Sequence, residues 1–373
     1  MKYLVNITRI LVGTLFIFSG LVKANDPLGL SYKMQEFFDV WARNPGLSHL
    51  MHWLDRFSLP FSIIMITLEV IVGVAILLGV WKKFFSWLLL LLIIFFGFLT
   101  GYAVISGKIA TCGCFGDCIP LTALESFIKD LILFGLVLII FFGVRHIRPV
   151  FRPGVNFFLL TVSVVFVLGF QNYVLKHLPV WDCLPYKVGN NLIELRKMPA
   201  DAVPDKKAFR FYYQKNGVVK EFSESNLPDS TWQFVRREDF VVQKGKDNEP
   251  PVKDFYLTTQ SGVDSTEGVL NTPGSYYMFF VRNLSSGTDR WIDHFVSIYK
   301  EARQQQEPIF IIATDPDKAS HFFNQENHYN LPVLSLDATA LKTAARTDPE
   351  LYLMTGPVVK QKWGRADLKS AVH

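Results

Sequence analysis

Residues 60–104 read PFSIIMITLEVIVGVAILLGVWKKFFSWLLLLLIIFFGFLTGYAV, two apolar runs separated by Trp81-Lys82-Lys83. Each run, Pro60–Val80 and Phe84–Val104, has the roughly 20 residues that an α-helix needs to cross ~30 Å of hydrocarbon. Three further apolar stretches flank them: Ile7–Leu21, Leu121–Phe142 and Val155–Phe170. The first and last are shorter, so tilt or local thinning of the bilayer has to cover the difference. Half of the 373 residues are hydrophobic, and most of the 33 Phe lie before residue 171. The apolar excess is therefore local, as expected where one half of a chain lives in lipid. The net charge of +5 is modest, and Lys and Arg cluster beside the apolar runs. This reads as topology information and not as a nucleic-acid surface.

The first stretch is read as a retained helix. Arg9 interrupts its apolar region, and the exit Gly20-Leu21-Val22-Lys23-Ala24-Asn25 lacks the small-x-small pattern of a cleavage site. Lys2 and Arg9 flank its start, Lys82-Lys83 separate the second and third stretches, and Arg145, His146, Arg148 and Arg152 link the fourth and fifth. If these clusters are cytoplasmic, the chain crosses the inner membrane five times, with its N-terminus in the cytoplasm and its C-terminal part in the periplasm. Lys23, Lys33, Arg43 and Arg56 then lie outside, in a longer loop where Asp26, Glu36, Asp39 and Asp55 dilute the bias. In that loop Phe37, Phe38, Val40 and Trp41, then Leu47, Leu50, Met51 and Leu54, recur at near-helical spacing. Two amphipathic interfacial helices fit, with Asn44-Pro45-Gly46 as the turn between them.

After Phe170 the composition turns polar with alternating apolar positions. Phe209–Tyr213, the turn Lys215-Asn216-Gly217 and Val218–Phe222 predict a β-hairpin. Lys244 to Pro251 is a charged linker. Beyond it we expect strands Asp254–Leu257 and Tyr276–Val281, helix Thr288–Arg303, strand Pro308–Ala313, and a short helix near Ala319–Asn324. Strand Val333–Leu336, helix Ala338–Arg346 and strands Leu351–Met354 and Val358–Trp363 around Thr355-Gly356-Pro357 complete the order. Such alternation closed by an antiparallel hairpin argues for a small α/β sandwich. The divisions are thus 1–172, a transmembrane bundle; 173–250, a β-rich connecting region; and 251–373, a soluble domain.

Cys112, Cys114 and Cys118 stand in Cys-Gly-Cys-Phe-Gly-Asp-Cys between the third and fourth stretches, and Cys183 follows the fifth. All four share the outer face in this topology. An even count in an oxidising compartment suggests disulfides, with three pairings open. A Cys-x-Cys bridge closes a very small, strained ring suited to exchange. Structural disulfides tying the loop to the soluble domain are the competing reading. Metal or cluster binding is the weakest, because no second paired-Cys motif or nearby His completes a zinc set. Thr122-Ala-Leu-Glu125 is a capping-box signature, so the loop precedes a helix N-terminus whose dipole favours a thiolate, nearest at Cys118.

Ionisable residues inside the apolar stretches form a second signal. Glu69 lies about nine residues into its helix, and Lys129 and Asp130 about eight into theirs. Both sites fall ~12–14 Å below the outer surface. Equal depth predicts a Glu69–Lys129 pair, serving either helix packing or a proton relay.

Arg9-Ile-Leu-Val-Gly-Thr-Leu-Phe-Ile-Phe-Ser-Gly-Leu-Val-Lys23, Glu69, and Cys112-Gly-Cys-Phe-Gly-Asp117 with Lys129-Asp130 resemble the DoxX-like membrane proteins, most nearly their MauE-like branch, over about residues 1–143. The resemblance implies a four-helix core, here with a fifth helix added, and a role in envelope thiol–disulfide chemistry or maturation of disulfide-containing proteins. It makes Cys112 and Cys114 the catalytic candidates and leaves Cys118 and Cys183 as disulfide partners of unsettled role. Residues 252–373 resemble a thioredoxin-like fold in element order, with Pro349 where such folds carry a cis-proline. The loop Arg282–Asp289 holds no cysteine, and none occurs after Cys183. That domain therefore cannot perform dithiol exchange itself.

Two functions follow. One is a membrane thiol–disulfide component whose loop exchanges electrons with an envelope client, a periplasmic thiol protein or a quinone. The other is a non-catalytic assembly factor whose degenerate thioredoxin-like domain binds an envelope partner. A transporter is a distant third, since the membrane half offers little polar lining. No nucleic acid and no metal ion is expected as a partner, and the oligomeric state is not encoded in any motif.

Overall fold

The computed structural model describes residues 1–109, 113, 115–243, 245, 249–284 and 287–372. Its N-terminal half is helical: α1 (Lys2–Ala24), α2 (Pro27–Ala42), α3 (Ser48–Asp55), α4 (Ser58–Leu78), α5 (Lys82–Ser106), α6 (Ala123–Phe142) and α7 (Pro153–His177). Each apolar stretch is one of these helices, and α2 and α3 are the two amphipathic ones. Among the described residues, α1, α4, α5 and α7 are long and apolar enough to cross a membrane. The 20-residue α6 packs among them, but Glu125, Lys129 and Asp130 in its first turns set it apart. The chain is a multi-pass membrane protein.

Helices α1 and α4 meet through small residues. A Cβ on Gly73 would lie 2.8 Å from the carbonyl oxygen of Gly13, so only glycine permits this approach. Arg9, which breaks the apolar pattern of α1, is buried at that crossing's far end. It donates to Leu77 O (2.8 Å) and Arg148 O (3.2 Å), carbonyls at the end of α4 and in the α6–α7 link. Lys82 Nζ donates to Ile147 O at 2.8 Å at the same end. The outward surface carries Phe84, Trp87, Phe157, Phe158 and Phe166, all exposed, as expected of a surface wetted by lipid.

A short helix α8 (Leu192–Leu195) follows, then the antiparallel strands β1 (Lys206–Lys215), β2 (Val218–Ser223) and β3 (Gln233–Gln243) in the order β2-β1-β3. Asn216 and Gly217 both have positive φ (52° and 77°), the backbone a tight hairpin demands. The sequence reading did not anticipate β3.

After α9 (Thr266–Leu270) come β4 (Ser275–Val281), α10 (Ile292–Gln305), β5 (Ile309–Ala313), α11 (Pro316–Ser320), β6 (Val333–Ser335), α12 (Ala338–Ala344), β7 (Glu350–Thr355) and β8 (Val358–Gly364). They form one sheet, β6-β5-β4-β7-β8. Strands β4, β5 and β6 run parallel, and β7 is antiparallel to both β4 and β8. Alternation along β4, buried from Tyr276 to Val281, feeds two cores. Tyr277, Phe279 and Val281 pack on Trp291, Phe295 and Ile298. Tyr276, Met278 and Phe280 pack in the core that holds Tyr186, Leu192, Phe255 and Leu341. Tyr186 and Leu192, read from the sequence as connecting region, thus belong to this sheet's core.

The expected strand Asp254–Leu257 is not one. Asp254 has φ of 53°, and pairing is confined to single bridges of Thr258 with Asp264 and Ser335. Phe255 and Leu257 alternate because they are core pegs of a turn, which mimics a strand's period. The Asp348–Pro349 bond is cis, as expected, and the Asp348 carboxylate accepts from Arg282 N (2.8 Å) and Asn283 N (3.0 Å) at the end of β4. Ser285 and Ser286 of that loop lie outside the described residues.

Candidate functional site

Two features converge on the segment between α5 and α6. The first is a cavity of about 280 Å³ inside the bundle, lined by Lys23, Glu69, Glu125, Lys129 and Asp130 among apolar groups including Phe96 and Phe115. Phe115, which stands between the second and third cysteines of the motif, lines the cavity. The capping box forms as read: Thr122 Oγ1 accepts from Glu125 N (3.3 Å), and the Glu125 carboxylate accepts from Thr122 N (2.9 Å). Thr122, the N-cap of α6, stands four residues after Cys118, and Lys129 and Asp130 of that helix line the cavity.

Glu69 faces the bundle interior, but its partner is Lys23 and not Lys129. Lys23 Nζ donates to both carboxylate oxygens, at 2.7 and 3.0 Å, with both side chains buried. The sequence reading put Lys23 in the outer loop, whereas α1 continues to Ala24 and keeps it inside. The apolar run ends at Leu21, so no local signal in the sequence marks Lys23 as buried. Lys129 pairs with its neighbour Asp130 (2.7 Å), which also accepts from Thr100 Oγ1 (3.1 Å). Lys23 Nζ lies 4.9 Å from the Phe96 ring centre and Lys129 Nζ 5.2 Å from that of Phe115. Ring faces thus help carry both cations.

The second feature ties the motif to the sheet unit. Cys118 and Cys183 form a disulfide, with Cα atoms 4.8 Å apart. Beside it, Arg346, just past α12, reaches Asp117 Oδ2 through Nη2 (2.8 Å) and Asp26 Oδ2 through Nε (2.7 Å). Asp26 meanwhile caps α2 through Gly29 N. Burial alone would lower the Arg346 pKa. Asp26 and Asp117 outweigh it and push it above the ordinary value, so the guanidinium stays charged. Lys342 Nζ to Gln35 (3.0 Å), Lys362 Nζ to Asp182 (2.9 Å) and His177 Nδ1 to Asp367 (2.8 Å) complete the dock. Under the dock, burial pushes the Glu350 carboxyl up, against the pull of Lys362 at 3.3 Å and the backbone N–H groups of Thr347 and Arg346.

Of the residues singled out by sequence, the structure brings Glu69, Lys129 and Asp130 to one cavity and joins Cys118 to Cys183. Cys112 and Cys114 lie outside the described residues. Sequence reasoning missed Lys23, Arg346 and the role of Asp117.

Residues 1–143 match the family model described as methylamine utilisation protein MauE, and residues 208–244 match a domain of unknown function, DUF8463. Among curated proteins, Protein TlpB of Flavobacterium psychrophilum is 33% identical over 146 residues, which is 38% of this chain and 37% of that protein. The shared region is thus little more than a third of either chain. No solved structure matches. From its start to the end of α6, this multi-pass membrane protein is similar to the MauE family.

Proposed function

We propose that the chain is a thiol–disulfide component of the cell envelope, anchored in the inner membrane, with Cys112 and Cys114 as its exchange pair. The observation that supports this reading is made by three neighbours of that pair: Phe115 lines the charged cavity, while Asp117 and Cys118 are bonded to Arg346 and Cys183. With Cys118 and Cys183 bonded to each other, Cys112 and Cys114 are the remaining two of four cysteines. Electrons pass between an envelope client and an acceptor, a periplasmic thiol protein or a membrane quinone. The soluble unit is a thioredoxin-like domain that docks partners and does no dithiol chemistry. Its sheet order, its antiparallel β7–β8 hairpin and the position of Pro349 support that fold.

The proposed topology has five crossings, with α6 as the fourth, N-terminus cytoplasmic and sheets periplasmic. The gathering of Lys2, Arg9, His146 and Arg148 around one cavity at one end supports it. Reporter fusions at Lys83 and Gly189 should report cytoplasm and periplasm respectively, and matching signals would sink the model.

Cys112→Ser and Cys114→Ser should each abolish client oxidation while the protein accumulates at normal level. Titration with a maleimide should show a pair more oxidising than a structural bridge, which sits below about −300 mV. The alternative is a scaffold, favoured by the tie between bundle and sheet unit. It predicts the reverse: normal function in a well-expressed Cys112→Ser, with bridges that resist mild reductant.

A further inference from the structure

We propose that the Cys118–Cys183 disulfide is the entry point for a polypeptide dithiol, received in the cleft between α2 and α12. This rests on the exchange reading above and adds a site to it. The cleft, about 710 Å³, is bounded by the bundle on one side and the sheet unit on the other. Cys183 lines it and is exposed, while Cys118 is half-buried behind it. Pro120, Pro185 and Pro251 line the cleft together with Cys183, as do charged groups of both signs, Glu36 and Asp39 from α2 and Lys342 from α12. Apolar rings beside charges of both signs suit a polypeptide segment, which offers apolar side chains, charged side chains and backbone polar groups together. A bond that only stapled the two units would gain nothing from opening onto such a cleft.

Geometry assigns the two sulfurs different roles. A client thiolate arriving through the cleft attacks Cys183 Sγ, forming a client–Cys183 disulfide as the Cys183–Cys118 bond breaks. Cys118 leaves as a thiolate. Cys118 is half-buried while Cys183 is exposed, which directs the incoming thiolate to Cys183 and makes Cys118 the leaving group. The client's second thiolate then attacks the client sulfur of the mixed disulfide and releases Cys183. The client dithiol loses two electrons, the Cys118–Cys183 pair gains them, and the two client protons pass to solvent or to the new thiolates. Exchange with an oxidised Cys112–Cys114 pair restores the bond and passes the two electrons to that pair.

A second observation fits this role. The Arg346–Asp117 ion pair ties the same loop to the same unit, one residue from Cys118. It holds the two sides in register while the disulfide is open.

The test uses the full chain in lipid nanodiscs with three probes: a peptide bearing one cysteine, a peptide bearing two, and glutathione. The one-cysteine peptide should become disulfide-linked to Cys183, mapped by mass spectrometry, with Cys118 newly reactive to maleimide. Cys118→Ser/Cys183→Ser should oxidise the two-cysteine peptide at least tenfold more slowly than wild type. Because the trapping is read on the wild-type chain, a variant that fails to fold leaves the test intact. Peptide attached to Cys112 or Cys114 with the outer bond closed overturns this inference and leaves the exchange reading standing. No oxidation by any form overturns both. Glutathione reacting as readily as the peptides overturns the polypeptide occupant.

Discussion

Arg346→Leu should release the sheet unit from the bundle. Arg346 is buried, and its fork holds Asp26 and Asp117, which come from the α1–α2 and α5–α6 loops. Breaking a buried pair by deleting one partner costs about 3–5 kcal/mol, because the stranded charge stays in a poor solvent. Here the lower end is expected. Asp117 is partly exposed and can rehydrate, and Asp26 keeps its bond to Gly29 N. Arg346→Lys should fall between, since an ammonium keeps the charge but cannot span two carboxylates at a fixed angle. Asp26→Asn/Asp117→Asn added to Arg346→Leu should recover part of the loss. Thermal melting in nanodiscs, with protease cleavage between α7 and β1, measures both the stability and the release. Unchanged melting and unchanged protection in Arg346→Leu would show that the Cys118–Cys183 bond and the other contacts hold the dock alone.

Lys23→Leu should be the most damaging change inside the bundle. It leaves the Glu69 carboxylate 4% exposed at membrane depth without the ammonium that makes two bonds to it. The expected loss is again roughly 3–5 kcal/mol, seen as reduced protein level and a lowered melting temperature. Glu69→Leu should behave similarly, because it removes the carboxylate that pairs with the buried cation and leaves the Phe96 ring beside it. The double variant Lys23→Leu/Glu69→Leu should recover most of the stability, since a buried ion pair replaced by apolar groups of similar volume is often neutral or stabilising. That variant also separates the two roles of the pair. A stable double variant that no longer oxidises its client assigns the pair to proton handling. A stable and active one assigns it to helix packing. If Lys23→Leu alone melts like wild type, the pair is not what holds α1 against α4.

The elements themselves were largely legible. Five apolar runs became five helices, because in lipid a backbone must satisfy its own hydrogen bonds and a long apolar segment has the helix as its solution. The hairpin at Asn216-Gly217 and the cap at Thr122–Glu125 were legible for a similar reason: both are made by residues a few positions apart. The strand misread at Asp254–Leu257 fails by the same logic. Its period came from two core pegs, Phe255 and Leu257, and nothing local reveals that Asp254 turns the chain.

The candidate site divides along that line. Composition and spacing alone determined that this protein enters the membrane several times, that its cysteines cluster before a capped helix, and that Glu69, Lys129 and Asp130 share one depth. Depth follows from rise per residue, which is a property of one helix. Which charge meets Glu69 depends on how α1 and α4 are turned about their axes, and that is decided by the Gly13–Gly73 crossing. Hence Lys23 and not Lys129 is its partner. Arg346 lies 229 residues from Asp117, and no pattern around it marks a partner. Only docking of a folded sheet unit onto a folded bundle brings the two together. Electrostatic and covalent ties between distant segments are properties of tertiary contact, because their energy depends on distance in space and on exclusion of water, neither of which is written in local sequence.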